Sequence, residues 1–169
     1  MPTYVIEPGR STVVVRAKSS IHDTDSVWPK LAGTVDADAG TLAASGATAR
    51  LTVDMTDFDA GDFLKNRKLR KDLDVKSHPQ ATFELARLVD VVELGDAKFE
   101  AVAEGTLRWR GRDVAVRARG SGTVTDAAID ANATFELDVR ALGVKPPRFL
   151  MFKVEDIVDV AVTLRAIRG

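Results

Sequence analysis

From Ala47 to Met55 the chain alternates without a break. Ala47, Ala49, Leu51, Val53 and Met55 fall on one side, and Thr48, Arg50, Thr52 and Asp54 on the other. A period of two marks a strand with one covered and one wet face, and here it recurs along almost the whole chain. Val13, Val15 and Ala17 share a face, as do Leu31, Gly33, Val35 and Ala37, and a shorter run covers Ala81 to Leu88. The later stretches Phe99 to Trp109, Val114 to Val124, Ile129 to Val139 and Val158 to Ala166 repeat the pattern. Gly40 and Gly46 mark bends, and Arg110-Gly111 is a tight-turn signal because glycine tolerates positive φ. The expectation is an all-β, antiparallel barrel of about eight strands formed by residues 1–169 as one domain. Closure leaves no sheet edge exposed, and a barrel of this size holds one small ligand.

One segment breaks the rhythm, DFDAGDFLKNRKLRKDLDVKSHPQATFE, from Asp57 to Glu84. Asp62 is a candidate N-cap for a short helix from Phe63 to about Asp74. Leu69 and Leu73 stand four apart and share a face that suits a lid over the barrel mouth. Lys65, Arg67, Lys68, Arg70 and Lys71 place five cations in seven residues. Lys65, Arg67 and Arg70 are candidates for holding an anionic head group, and the segment for transient contact with a membrane surface. The alternative is a solvated face balanced by Asp62, Asp72 and Asp74.

The covered faces are rich in alanine and glycine: Ala47, Ala49, Ala101, Ala103, Gly105, Ala118, Gly120, Gly122, Ala131 and Ala133. A filled small barrel needs bulky branched residues. Rows of small ones leave room for a long apolar molecule, or else permit close packing and strand bending. On the first reading the ligand-binding candidates are Ala49, Leu51, Phe63, Phe83, Ala101, Ala103, Ala118, Ala133, Phe135 and Phe149.

The charge balance, 24 basic against 25 acidic residues, argues against nucleic-acid binding. There is no cysteine, and no apolar run approaches a membrane span. MPTYVIEPGRS lacks an apolar signal core, so the cytoplasm is the expected location, with the periplasm after loss of a leader as the alternative. His22-Asp23-Thr24-Asp25 carries donors for a divalent cation, but a polar turn accounts for it better. His78 precedes Pro79 and reads as extended chain. Phosphate-binding loops, dinucleotide fingerprints and nucleophile elbows are missing. Neither a cofactor nor a metal is expected.

Four pieces, in order, resemble the YceI family of polyisoprenoid-binding, lipocalin-like bacterial barrels. GDFLKNRKLRKDLDVKSHPQATFE resembles that family's polar helix followed by a His-Pro strand start. GTLRWRGRDVAV resembles its Gly-x-Leu hairpin, FELDVRALGV its late strand with a Gly-containing corner, and VEDIVDVAVTLRA its closing strand. SSIHDTDSVWPKLAG departs from the family, being polar where many relatives carry an apolar strand. The resemblance implies an extended barrel holding an isoprenoid or fatty chain, without catalytic residues. The leading expectation is therefore non-enzymatic binding, transport or sequestration of a long apolar ligand, by a chain that is a candidate homodimer. Two alternatives stand beside it: an enzyme using His22 or a lumenal carboxylate, and a packed interaction module without a ligand.

Overall fold

The structure, a computed structural model, describes residues 1–20, 23–44, 46–145, 148–149 and 152–169, with only the backbone at 148, 149, 152 and 153. Five strands come first: β1 (Thr3–Ile6), β2 (Thr12–Ala17), β3 (Thr24–Trp28), β4 (Leu31–Asp36) and β5 (Thr48–Asp54). Helix α1 (Phe63–Asp72) separates them from β6 (Gln80–Gly95), β7 (Lys98–Trp109), β8 (Arg112–Val124) and β9 (Ala128–Asp138). A 3₁₀ turn (Val139–Leu142) and a small hairpin, β10 (Arg148–Phe149) and β11 (Phe152–Lys153), precede the closing strand β12 (Ile157–Arg168).

Eight of these strands close a ring in the order β1-β4-β5-β6-β7-β8-β9-β12 and back to β1. All pairings are antiparallel. The closing strand divides one of its edges between two partners. Ala166 to Arg168 face β1, whereas Asp159 to Thr163 face β2, which carries β3 beyond it. The outer edge of β3 is met by the backbone of Asp59, with Val27 and Asp59 exchanging bonds of 2.8 and 3.0 Å. Pairing therefore continues past the ring and covers an edge that would otherwise invite association. With β7 running for 12 residues, about 40 Å of strand at the usual rise, and a tilt near 40°, the barrel is roughly 30 Å tall.

The long strands match the expected alternation, and Arg110 (φ 56°) and Gly111 (φ 71°) make the tight turn between β7 and β8. β6 is twice the expected length. Its register slips between Leu85 and Arg87, Val89 and Val92, and Glu93 and Gly95. Each bulge inserts an unpaired residue and flips the phase of the pattern, so periodicity loses the strand after Leu88. Thr24 to Trp28 is also strand rather than polar turn. Its inward Ser26 breaks the apolar pattern, but its hydroxyl donates to the Val15 carbonyl (3.4 Å) and accepts from Trp28 Nε1 (3.0 Å), which satisfies it in place.

The end carrying the β6–β7 and β8–β9 turns is plugged by Tyr4, Leu42, Val124, Ile129 and their neighbours. Tyr4 is fully buried there and donates its hydroxyl to the Thr125 carbonyl at 2.6 Å. At the other end Trp109, Leu142, Val144 and Ala81 form one cluster, and Trp28, Phe58 and Val75 a second. Charges stay on the outer face. Glu84 pairs with Arg50 and Arg108, and Glu104 with Arg87 and Arg117, linking β5 through β8.

Candidate functional site

The two plugged ends leave a cavity of about 330 Å³ between them. That volume is within the range of small-molecule sites and far above what one water needs. Its position follows from the register. Ala101 pairs with Gly120, and Gly120 in turn with Ala133; Ala103 pairs with Ala118. Gly122 stands between Phe99 on β7 and Ala131 on β9. In a barrel, laterally paired inward residues form a row around the lumen. The row Ala101–Gly120–Ala133 is small throughout, and Phe99 and Leu88 are the large residues beside it on β7 and β6. On β12 Ala133 meets Val162 and Ala131 meets Leu164. The space exists because one wall lacks the side chains to fill it.

Helix α1 helps to close the same volume. Asp62 caps it by accepting from Lys65 N at 2.8 Å. Leu73 lines the cavity, and Leu69 packs with Leu73 against Trp28, Phe58 and Val75. Trp28 stacks on Phe58 with ring centres 4.4 Å apart, and the Arg70 guanidinium lies 5.3 Å over the Phe58 ring. Arg110 fixes the helix end by donating from Nη1 to the Leu73 carbonyl at 2.7 Å. Trp109 Nε1 donates to the His78 carbonyl at 2.9 Å, which holds the chain leading into β6.

A YceI-like domain model matches residues 4–166. The chain belongs to the YceI-like family. Among curated proteins none matches it. Solved structures with the same fold include Burkholderia cenocepacia BcnA, with 23% identity, a TM-score of 0.75, and 95% of this chain and 98% of that one covered. A polyisoprenoid binding domain from Saccharophagus degradans, implicated in plant cell wall breakdown, matches over 100% of both chains at 12% identity and a TM-score of 0.75. The Campylobacter jejuni YCEI protein is 11% identical, with a TM-score of 0.62 over 85% of this chain and 84% of that one.

In this YceI-like barrel Ala49, Leu51, Phe83, Ala101, Ala103, Ala118, Ala133 and Phe135 all border the cavity. Phe63 does not. It is the first residue of α1, off the packed face that Leu69 and Leu73 share, and is 76% exposed. The Phe149 side chain lies outside the described residues, as does His22. None of Lys65, Arg67 and Arg70 borders the cavity, because the helix turns Leu73 toward it instead. Asp25, grouped with His22 as a metal donor, is held by Arg16 at 2.9 Å on the outer face, and hydrogen bonding from Arg16 lowers its carboxyl pKa.

Sequence reasoning also missed Trp28, Leu142 and Val144 as lining. The inward polar residue Ser26 hid the first, and the other two lie on a non-strand connection with no period to read. The Ala/Gly rows divide between their two readings. The alanines make space. A Cβ on Gly122 would stand 2.0 Å from the Asp130 carbonyl oxygen, and one on Gly105 would stand 2.2 Å from that of Glu84. Those glycines are demanded by close strand approach.

Chemically, the lumen is almost wholly apolar. Among the described residues Ser121 and Asn132 are the polar residues bordering it, and both are exposed outward positions in the alternation. Asn132 Oδ1 accepts from the Thr163 hydroxyl at 3.0 Å. No Asp, Glu or His lines the cavity among the described residues, so a lumenal carboxylate for acid–base chemistry finds no candidate there. The packed-module reading expects a filled interior, and a void of this size weighs against it. Family and lumen agree on a barrel suited to an apolar ligand.

Proposed function

We propose that this protein binds and carries, or sequesters, a long apolar molecule of isoprenoid or fatty type inside the barrel, without acting on it chemically. The observation that carries this reading is the cavity itself, bounded by small, aliphatic and aromatic side chains along β7, β8, β9 and β12. Burial of a methylene is worth about 0.8 kcal/mol. Ten buried carbons thus supply roughly 8 kcal/mol, about micromolar affinity before ordering costs. The isoprenoid class is favoured by the polyisoprenoid binding domain among the structural neighbours. Among the described residues no cation borders the lumen to meet an anionic head group, and Lys65, Arg67 and Arg70 are the proposed cations for one emerging beside α1.

Native mass spectrometry of the purified chain, followed by solvent extraction, tests the reading. A discrete lipid adduct released by solvent is the expected result. A mass equal to the bare chain, unshifted by geranylgeraniol or palmitate, would count against it.

A further inference from the structure

Helix α1 has two faces, and the lumen uses only one. Lys65, Asn66, Leu69, Asp72 and Leu73 are partly buried and turn toward the barrel. Asn66 fastens that side by donating from Nδ2 to Asp59 at 3.2 Å and by accepting from the Ala60 amide. Phe63, Leu64, Arg67, Lys68, Arg70 and Lys71 are exposed. At a hundred degrees per residue, Phe63, Arg67 and Lys71 stack along the outer side with Leu64 and Lys68 beside them. Phe63 (76%) and Leu64 (73%) are the most exposed large apolar residues among those described. Residues 62–74 hold five cations against three carboxylates, in a chain whose net charge is −1. Of the outer cations, Lys68 is engaged by Asp72 at 3.0 Å and Arg70 lies over Phe58. Arg67 and Lys71 are exposed, and neither is in an ion pair among the described residues.

We propose that the outer face of α1 docks the barrel on an anionic lipid bilayer, with Phe63 and Leu64 entering the interfacial region and Arg67, Lys68 and Lys71 meeting acidic head groups. Two bulky apolar side chains next to basic ones are the composition that interfacial helices use. A soluble polyanion would be served by the cations alone and gives no account of Phe63 and Leu64. Docking would bring the Leu73 end of the same helix, a wall of the cavity, toward the phase where long apolar molecules reside. In that purpose, though not in the binding itself, the inference rests on the lumen reading.

Co-sedimentation tests it, using phosphatidylcholine vesicles with and without phosphatidylglycerol. The chain should bind the anionic vesicles, less so as salt is raised, and leave the neutral ones free. At about fivefold per cation, Arg67→Gln/Lys71→Gln should weaken binding roughly 25-fold. Phe63→Ser/Leu64→Ser should weaken it at least tenfold, with the barrel's circular dichroism unchanged. Equal binding to both vesicle types overturns the proposal. So does wild-type docking by Phe63→Ser/Leu64→Ser, since the patch would then be a site for polyanions. N-phenyl-1-naphthylamine fluorescence, without vesicles, reads the lumen separately. Ala103→Phe should lose the dye and still dock, whereas a wild-type chain that docks but takes up no apolar probe overturns the lumen reading alone.

Discussion

Ala103 faces Ala118 across the β7–β8 ladder, and both border the cavity. On the other side Ala103 meets Leu88 of β6, so the small pair begins where a larger wall ends. A Phe at Ala103 projects into empty volume rather than into a neighbour. Ala103→Phe should lower affinity for geranylgeraniol or an apolar dye by more than tenfold. Because it fills a void, folding stability should hold or rise by about 0.5–2 kcal/mol. Fluorescence titration beside urea unfolding reads both. Full retention of affinity would place binding outside the lumen.

Neighbouring glycines of β8 separate the two roles of small residues. A Cβ on Gly122 would lie 2.0 Å from the backbone oxygen of Asp130, which cannot swing aside, whereas one on Gly120 would lie 3.2 Å from that of Asn132. Gly122→Ala should cost about 1–3 kcal/mol through forced strand displacement, and Gly120→Ala less than about 1. Urea midpoints at constant m-value decide it. Equal costs would mean that the two positions do not differ in closeness.

The hydrogen bond from Arg110 to the Leu73 carbonyl ties the β7–β8 turn to the helix that covers the cavity. Arg110→Asn removes the guanidinium while keeping a residue that tolerates positive φ. Losing a charge-assisted bond of this kind is worth about 1.5 kcal/mol. Release of a bound dye should therefore quicken about tenfold, and α1 amides should exchange faster. A release rate equal to wild type would show that α1 does not gate the lumen.

Acid should destabilise the barrel from its outer face. The hydrogen bond from Arg108 holds the Glu84 carboxyl below its ordinary value of 4.5, and that from Arg87 does the same for Glu104. A folded pKa below the unfolded one contributes stability that is present above 4.5 and lost as pH falls through the folded value. Tyr4 works at the other limit. Burial raises its phenol pKa, so its contribution holds below the ordinary 10.0 and declines once rising pH ionises the unfolded chain first. Thermal midpoints measured across pH should fall on both sides of that window. Glu84→Gln should blunt the acid limb, and an unchanged limb would remove Glu84 from the account.

The strands were legible where inward residues were apolar and the register was unbroken, as along Phe99 to Trp109 and Ile129 to Asp138. They were illegible where a bulge reset the phase, past Leu88, or where a polar side chain found its partner only in three dimensions, as Ser26 does with Val15 and Trp28. Phe63 shows a different limit. Composition marked it as apolar enough for a pocket, but helix phase turned it outward while Leu69 and Leu73 took the packed face.

The sequence by itself determined the alternation, the helix cap at Asp62, the tight turn at Arg110-Gly111 and the small residues of β7 to β9, because these depend on local backbone geometry and side-chain size. Tertiary structure decided the rest. It divided the edge of β12 between β1 and β2, and it aligned Ala101, Gly120 and Ala133 into one row. An alanine on one strand is only a small residue. Two of them abreast, with glycine between, become a void, since lateral register is set by pairings between segments far apart in the chain.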